Sequence, residues 1–439
     1  MFEVDINHRA IIHDMRTVLF FTSRLPFPPD SGRKSSLYHY CKILSDSFGF
    51  RVVVVSFLEN GDKVSSIPSF IDKVYVIDSP SFAEKLKNII WFTFIKRCFP
   101  MQVSLFWSKK RKRVVDKIIQ KEQPILCISD MVRTTEYCKD APCRKISDLD
   151  DMLSIRYMRQ LSIESPYVNP YGAYLTSLPR VLQNILMAKA IKKRVLSFES
   201  KLMKNYEINS SRNYDAIVLV AERETQELNK RIGEKKCFSV PIGIDYGYYS
   251  SFSNGDIEGE GNVIAFLGAM SVAHNSHACS FFIEEVLPIV LSEIPDAKFL
   301  VVGGGVSDNL RQLESEHVVF TGRVDDVRSY VQQASVFVCP LQFGSGIKTK
   351  NLEAMAMGVP IVTTSIGAEN IDAQDGCEWI IRDQYDEIAN AVIQLLRSEN
   401  LRKKYSEAAQ AYVKENWTWE AAEHSLNKVL CHLGLGLYK

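Results

Sequence analysis

Short β-branched runs alternate with longer helical patterns along this chain, and that alternation confines it to a parallel-sheet α/β fold. The runs Val18–Thr22, Arg51–Phe57, Lys73–Ile77, Ile125–Ser129 and Ala216–Val220 read as buried parallel strands. Helical periodicity covers Leu37–Phe48, Lys110–Gln120 and Leu178–Tyr206 between them. A second series follows at Val263–Leu267, Lys298–Val302, Val318–Thr321, Val336–Cys339 and Pro360–Thr363, with helices at Asn275–Glu293, Asp325–Gln332 and Asp386–Ser398. The aperiodic stretch Ser250–Asn262, rich in Ser, Gly and acids, reads as the linker. At 439 residues the chain exceeds one ordinary core. Two Rossmann-like domains are therefore expected, 1–250 and 251–415, with ligands at the carboxyl ends of their strands. After the break at WTWE, Asn416–Leu433 reads as a terminal helix.

The net charge of +1 hides an asymmetry. Residues 1–250 carry 39 Lys/Arg against 27 Asp/Glu, whereas 251–439 carry 14 against 25. The halves are expected to meet different partners. Ten cysteines lie far apart with no CxxC pair, which speaks for reduced thiols and against a disulfide or zinc framework. No secretory leader opens the chain and no apolar run is long enough to span a bilayer, so a cytoplasmic protein is expected, soluble or peripheral on a membrane.

The stretch Phe343–Asn370 concentrates the chemistry. A glycine-broken loop, Gly344 and Gly346, leads through Ile347 and the lysines Lys348 and Lys350 into a short apolar helix with Leu352 and one acid, Glu353. Glycines before a helix N-terminus let backbone N–H groups approach an anion, and the dipole and lysines favour negative charge there. An ionised acid one turn further in only accepts hydrogen bonds, which suits sugar hydroxyls. Diphosphate beside ribose describes a nucleotide site.

These segments, from VLFFTSRLPFPPDSG through YDAIVLVAERE and VPIGID to GSGIKTKNLEAMAMGVPIVTT, resemble the two-Rossmann (GT-B) glycosyltransferases of the large retaining family 4. The resemblance implies that the domains face each other across a cleft. It implies that the second domain takes a nucleotide-sugar and the first the acceptor, a glycan or lipid-linked hydroxyl, as in cell-surface polysaccharide synthesis. It further implies a terminal helix, 416–439, crossing back to the first domain, and retaining hexosyl transfer without a metal. Glu353 matches the ribose-holding glutamate of a family pair whose first position falls on Ser345. Gly268 matches a strand-end glycine where phosphates approach; Lys348 and Lys350, with Arg323 as a further cation, are the diphosphate candidates. In the first domain Gly32, with Arg33 beside it, matches the loop near the transferred sugar. Asp148 and Asp151 read as lying just past a short strand, where a carboxylate could order an acceptor hydroxyl or take its proton; with Ser154 they match a D-x-x-D-x-x-S spacing, Asp148 being placed near the acceptor and Asp151 a candidate catalytic residue.

Other readings stay open at this stage. A nucleotide-sugar epimerase of the same fold would need no second substrate, and a non-catalytic glycan- or membrane-binding subunit would turn over no donor. A dinucleotide oxidoreductase is disfavoured because no GxGxxG follows the first strand. His274 and His277 lack an evident third ligand and read as surface residues, not a metal site. Lys85–Lys117 holds ten Lys/Arg against one acid, Asp116, interleaved with IIWFTFI and VSLFW. That mixture suits an anionic membrane surface; nucleic acid is not expected, since no recognition motif accompanies the charge.

Overall fold

The computed structural model describes residues 2–5, 16–29, 32–58, 66–162, 189–251, 261–344 and 346–437. The chain divides into two compact units: residues up to 242 with the end of the chain from 422 onward, and a second unit that is essentially 243–421. Ser345, residues 252–260 of the linker and residues 178–188 of the expected helix lie outside the described residues.

The first unit is built on an eight-stranded sheet. Its strands are β1 (Phe2–Asp5), β2 (Thr17–Thr22), β3 (Arg51–Phe57), β4 (Lys73–Ile77), β5 (Leu126–Asp130), β6 (Arg144–Asp150), β7 (Ala216–Leu219) and β8 (Cys237–Ser239). Their order is β1-β4-β3-β2-β5-β6-β7-β8. Only β1 runs antiparallel to its neighbour. The run RVVVVSF in β3 is buried from Val52 to Phe57, without the alternation of a one-sided sheet, because helices cover both faces. Phe21, Phe57 and Tyr137 meet at ring-centroid distances of 5.0–5.8 Å in this core, each such side chain contributing roughly 1.5–3 kcal/mol by leaving water. The end of the chain is tied to this unit, with Ser47 Oγ donating to Glu423 Oε2 (2.8 Å) and Arg16 to the Leu435 carbonyl (3.3 Å).

The second unit holds a six-stranded parallel sheet of β9 (Val263–Leu267), β10 (Lys298–Val302), β11 (Val318–Gly322), β12 (Val336–Cys339), β13 (Ile361–Thr363) and β14 (Ile380–Ile381). The order is β11-β10-β9-β12-β13-β14. Fully buried Phe266, Phe282, Phe299, Phe337 and Trp379 fill its core, with Phe282 and Phe299 only 4.4 Å apart.

The expected strands appear within a residue or two of the spacing that announced them. Three differences have physical reasons. The helix expected over Asn275–Glu293 widens into a π-helical turn at Phe282–Val286 before resuming at Leu287–Glu293. Pro288 has no N–H to donate back along the helix and its ring crowds the preceding turn, which the wider turn relieves. The helix expected at Asp325–Gln332 shrinks to Arg328–Val331, because the Asp326 carboxylate takes the Arg328 N–H (2.9 Å) and starts the helix there. Asp148 lies within β6 and not past its end, since β6 runs on to Asp150. No disulfide joins any of the ten cysteines, and Cys98 and Cys377 are exposed.

Candidate active site

In the second unit the strand ends are almost bare backbone. Gly268 follows β9, Gly303 to Gly305 follow β10, and Gly322 ends β11. A Cβ on Gly303 would stand 2.0 Å from the Gly268 carbonyl oxygen, and φ at Gly303 is +137°, so these two turns are interlocked through glycine. Gly268 N–H donates to Val302 O (2.9 Å) and Met270 N–H to Gly304 O (2.8 Å), fixing both turns side by side. Exposed Arg323 emerges next to Gly304.

The loop after β12 reaches the same edge. Gly344 and Gly346 both take positive φ, +144° and +76°, which places the start of helix Thr349–Ala356 at Lys348. Asn351 is fully buried and donates to the Gly367 carbonyl (2.9 Å), so this helix is anchored to the turn after β13. A helix begins with N–H groups that have no partner within it, and here they open beside glycine turns. The ammonium of Lys350 is brought back across the edge: it donates to Asn275 Oδ1 (2.6 Å) and lies 4.4 Å from the centre of the Phe266 ring. A Cβ on Gly268 would come within 2.8 Å of that ammonium. Lys348 is only 5% exposed and donates to the Gly346 carbonyl (2.5 Å). Gly268, Gly344, Gly346, Ile347, Lys348, Lys350, Leu352 and Glu353 thus belong to one edge of one sheet.

Burial dominates the electrostatics there. It depresses the Lys350 ammonium below its ordinary value and raises the Glu353 carboxyl, against a hydrogen bond from Thr349 and the attraction of Lys350. His274 is pushed down to about 4 by burial and by the two lysines, so its imidazole is neutral near pH 7. It is half-buried beside Gly344, and His277 sets its ring edge against Phe343, 5.3 Å away. Neither histidine is the surface residue its sequence context indicated. Asn275, Phe266 and His274 are the members of this edge that sequence reasoning missed; only their nearness to VAHNSHA and FLGAM hinted at them. Helix Tyr246–Ser250 packs on the Glu353 helix, and Tyr249 lies close enough to Glu353 for its phenol to be raised, first by burial and then by that acid.

The matching edge of the first unit is of another kind. Gly32 opens helix Gly32–Asp46 with no neighbour that a Cβ would meet, so nothing local demands glycine there. Arg33 reaches into a set of aspartates: Nε and Nη2 donate to Asp130 Oδ1 (2.9 and 2.7 Å), Nη2 to Asp148 Oδ2 (2.8 Å) and Nη1 to Asp150 Oδ1 (3.1 Å). Asp130 and Asp148 are paired neighbours on β5 and β6, and a bulge against β7 follows at Asp148–Asp150, where Asp150 takes a φ of +67°. Like charges placed opposite each other repel, and the guanidinium between them makes the arrangement tenable. Burial tends to raise Asp130, but Arg33 and two hydrogen bonds from Ser23 hold it below the ordinary carboxylate value. Asp148 is raised to about 6, by burial and by its two aspartate neighbours against Arg33.

Asp151 points elsewhere: its carboxylate pairs with Arg156, burial raises it, and Oδ1 has no hydrogen-bond partner. Ser154 Oγ donates to Glu207 (2.5 Å), whose carboxyl burial lifts to about 7. The D-x-x-D-x-x-S spacing therefore distributes over three different contacts. Asp130 and Asp150 were missed, because each looks like an ordinary residue at the end of a strand. Among the described residues no group of three or more His, Cys, Asp or Glu is placed to hold a metal ion.

A Klebsiella pneumoniae protein, described as an uncharacterized 44.6 kDa protein in the cps region, is 22% identical over 416 residues, 92% of this chain and 97% of that protein. The phosphatidyl-myo-inositol mannosyltransferase of Mycobacterium tuberculosis is 27% identical over 202 residues, covering 43% of this chain and 52% of the enzyme, so about half of that enzyme's length is matched. Among solved structures, Anabaena HepE in complex with UDP and glucose superposes with a TM-score of 0.56 at 14% identity, over 95% of this chain and 99% of that one. That likeness shows the fold: two Rossmann-like parallel-sheet units of the GT-B class. Residues 261–398, within the second unit, match the family model described as Glycosyl transferases group 1.

Proposed function

We propose that the chain is a glycosyltransferase of the hexosyl-transferring kind. It moves a sugar from a nucleoside-diphosphate donor to a hydroxyl of a glycan or lipid-linked acceptor, in the synthesis of cell-surface polysaccharide. The observation that carries this reading is the carboxyl edge of the β9–β14 sheet, where glycine turns, a helix start, two lysines and Glu353 coincide in a group 1 domain. The mycobacterial relative is named for a phosphatidyl-inositol acceptor and the HepE structure holds UDP, which supports a lipid-linked acceptor and a nucleotide donor.

In this reading the turns at Gly268 and Gly344–Gly346 and the N-terminus of the Thr349 helix receive the diphosphate. Lys350 and Lys348 offset its charge, and Arg323 stands at the rim. Glu353 accepts hydrogen bonds from the ribose hydroxyls. Charge then develops on the leaving diphosphate against donors already in place, which is the usual largest source of rate enhancement in such transfers. The first unit takes the acceptor near Arg33 and Asp148, with Asp151 a candidate for proton acceptance. Retention at the transferred carbon, work without a bound metal and a peripheral position on the inner membrane face belong to the same proposal.

A thermal-shift panel of UDP-, GDP-, ADP- and TDP-sugars tests it. A donor at about 100 times its dissociation constant adds roughly 2.7 kcal/mol to stability, a readable shift. Glu353→Ala should lose most of that response, and a panel without any response would refute the donor site.

A further inference from the structure

We infer that the helical segment Phe82–Ile95 of the first unit is a membrane-docking ridge that inserts its apolar side chains into the surface of an anionic bilayer. The segment is amphipathic the wrong way round for a soluble protein. It runs as an α-helix over Phe82–Asn88 and a π-helical turn over Ile89–Ile95. Two of the side chains it turns inward are polar. Buried Asn88 donates from Nδ2 to the carbonyls of Ser104 (3.1 Å) and Trp107 (2.7 Å), and fully buried Thr93 shares a hydrogen bond with Ser104 Oγ (2.8 Å). Apart from Lys87 its outward residues are apolar: Phe82 is 61% exposed and Ile95 60%, with Leu86, Ile90, Trp91 and Phe94 each about half exposed. Six of the twelve large apolar side chains exposed among the described residues fall in these fourteen positions. Scattered exposed apolar residues need no explanation, but a continuous ridge does.

Charge decides the occupant. Lys87, Lys96 and Arg97 are exposed along the ridge. The Lys96 ammonium lies 5.4 Å from the Trp91 ring centre, and the Arg97 guanidinium lies 5.9 Å from that of Phe198, which stacks on Phe94. Exposed Arg194 and Lys201 lie about one turn either side of Phe198 on helix Lys189–Ser211, and exposed Lys109 and Lys110 open helix Lys109–Glu122. Glu84, the one acid within Phe82–Ile95, is paired with Arg111 (2.8 Å). A second copy of this surface would bring two cationic rims together. Leu86, Ile90 and Ile95 offer a nucleic acid neither hydrogen bonds nor stacking. Acyl chains for the apolar crest and anionic headgroups for the rim satisfy both features. Among the described residues no helix is long and apolar enough to cross a membrane, so the contact is peripheral.

The inference deepens the proposal of a lipid-linked acceptor, yet it rests on surface residues distant in sequence from the donor edge. It is tested with the full chain and phosphatidylcholine vesicles with or without about 30% phosphatidylglycerol, where partition should be roughly tenfold stronger with the anionic lipid. Trp91→Glu with Phe94→Glu, and separately Lys96→Glu with Arg97→Glu, should each weaken sedimentation roughly tenfold. Brominated acyl chains should quench tryptophan emission, and Trp91→Phe should remove that quenching while binding persists. Absent partition, partition unaffected by these variants, quenching that survives Trp91→Phe, or self-association abolished by Trp91→Glu without lipid binding would each overturn it. Donor-induced thermal shift in vesicle-free buffer, retained by all the ridge variants, separates failure of the ridge from failure of the enzyme reading.

Discussion

The two sheets of this protein share parallel topology but finish their carboxyl edges with opposite chemistry. At the β2–β5–β6 edge three aspartates converge on one arginine. At the β9–β10–β12 edge glycines strip away side chains and lysines supply the charge. The same backbone plan therefore offers a carboxylate-rich edge in a cationic half and an ammonium-lined edge in an acidic half. Local placement, and not net charge, sets what each edge can hold.

The most severe way to break that contrast is to remove the arginine. Arg33→Met leaves buried Asp130 and Asp148 facing each other, and should cost about 3–5 kcal/mol in denaturant unfolding at pH 7. Lower pH should recover part of it, since carboxylates without a counter-ion take up protons. If the variant unfolds like the wild type, the cluster does not depend on Arg33.

Next in size is Gly303→Ala, where the new Cβ would collide with backbone, the Gly268 carbonyl, at a φ of +137°. A loss of about 1–3 kcal/mol is expected, read from the unfolding midpoint at unchanged slope. A neutral result would mean that the two turns can part.

The pH dependence of the first edge gives a finer test. The folded value of Asp148, about 6, lies above its unfolded value, so the folded protein binds this proton more tightly. The contribution is present below the unfolded value and is lost as pH rises through about 6. Stability owed to this group should fall by roughly 2–3 kcal/mol between pH 4 and 7, and Asp148→Asn should flatten that part of the profile. Glu199 and Glu207, both raised by burial to about 7, slope the same way, so the difference between variant and wild type is the quantity to read.

Gly268→Ala should do least to stability. The atoms nearest its Cβ would be the side-chain ends of Lys350 and Asn275, each 2.8 Å away, and not backbone, so a cost of about 1 kcal/mol is expected. The displaced ammonium should nonetheless remove most of the donor-induced thermal shift. Full donor response in Gly268→Ala would show that Lys350 takes no part in holding the diphosphate.

The edge proposed for the donor was legible because its parts are close in sequence: Gly344, Gly346, Lys348, Lys350 and Glu353 fall within ten residues, and a helix start after glycines leaves N–H groups open to an anion. The partner of Lys350 was not, since Asn275 is 75 residues away and only strand order brings it near. The outward-facing ridge was half legible: Lys85–Lys117 announced cations and aromatics, but which side of the segment is buried depends on Ser104 and Trp107 accepting from Asn88.

What the sequence determined by itself was the succession of strands and helices, the division into two units and the glycine- and lysine-bearing loop that opens helix Thr349–Ala356. Each follows from short-range periodicity or from glycine and lysine within a few positions. The tertiary structure alone decided that Arg33 answers to Asp130, Asp148 and Asp150, residues 97 to 117 positions away. Charges in a buried site interact through space, and which of them meet is fixed by the order in which strands pair, a choice that local patterns do not encode.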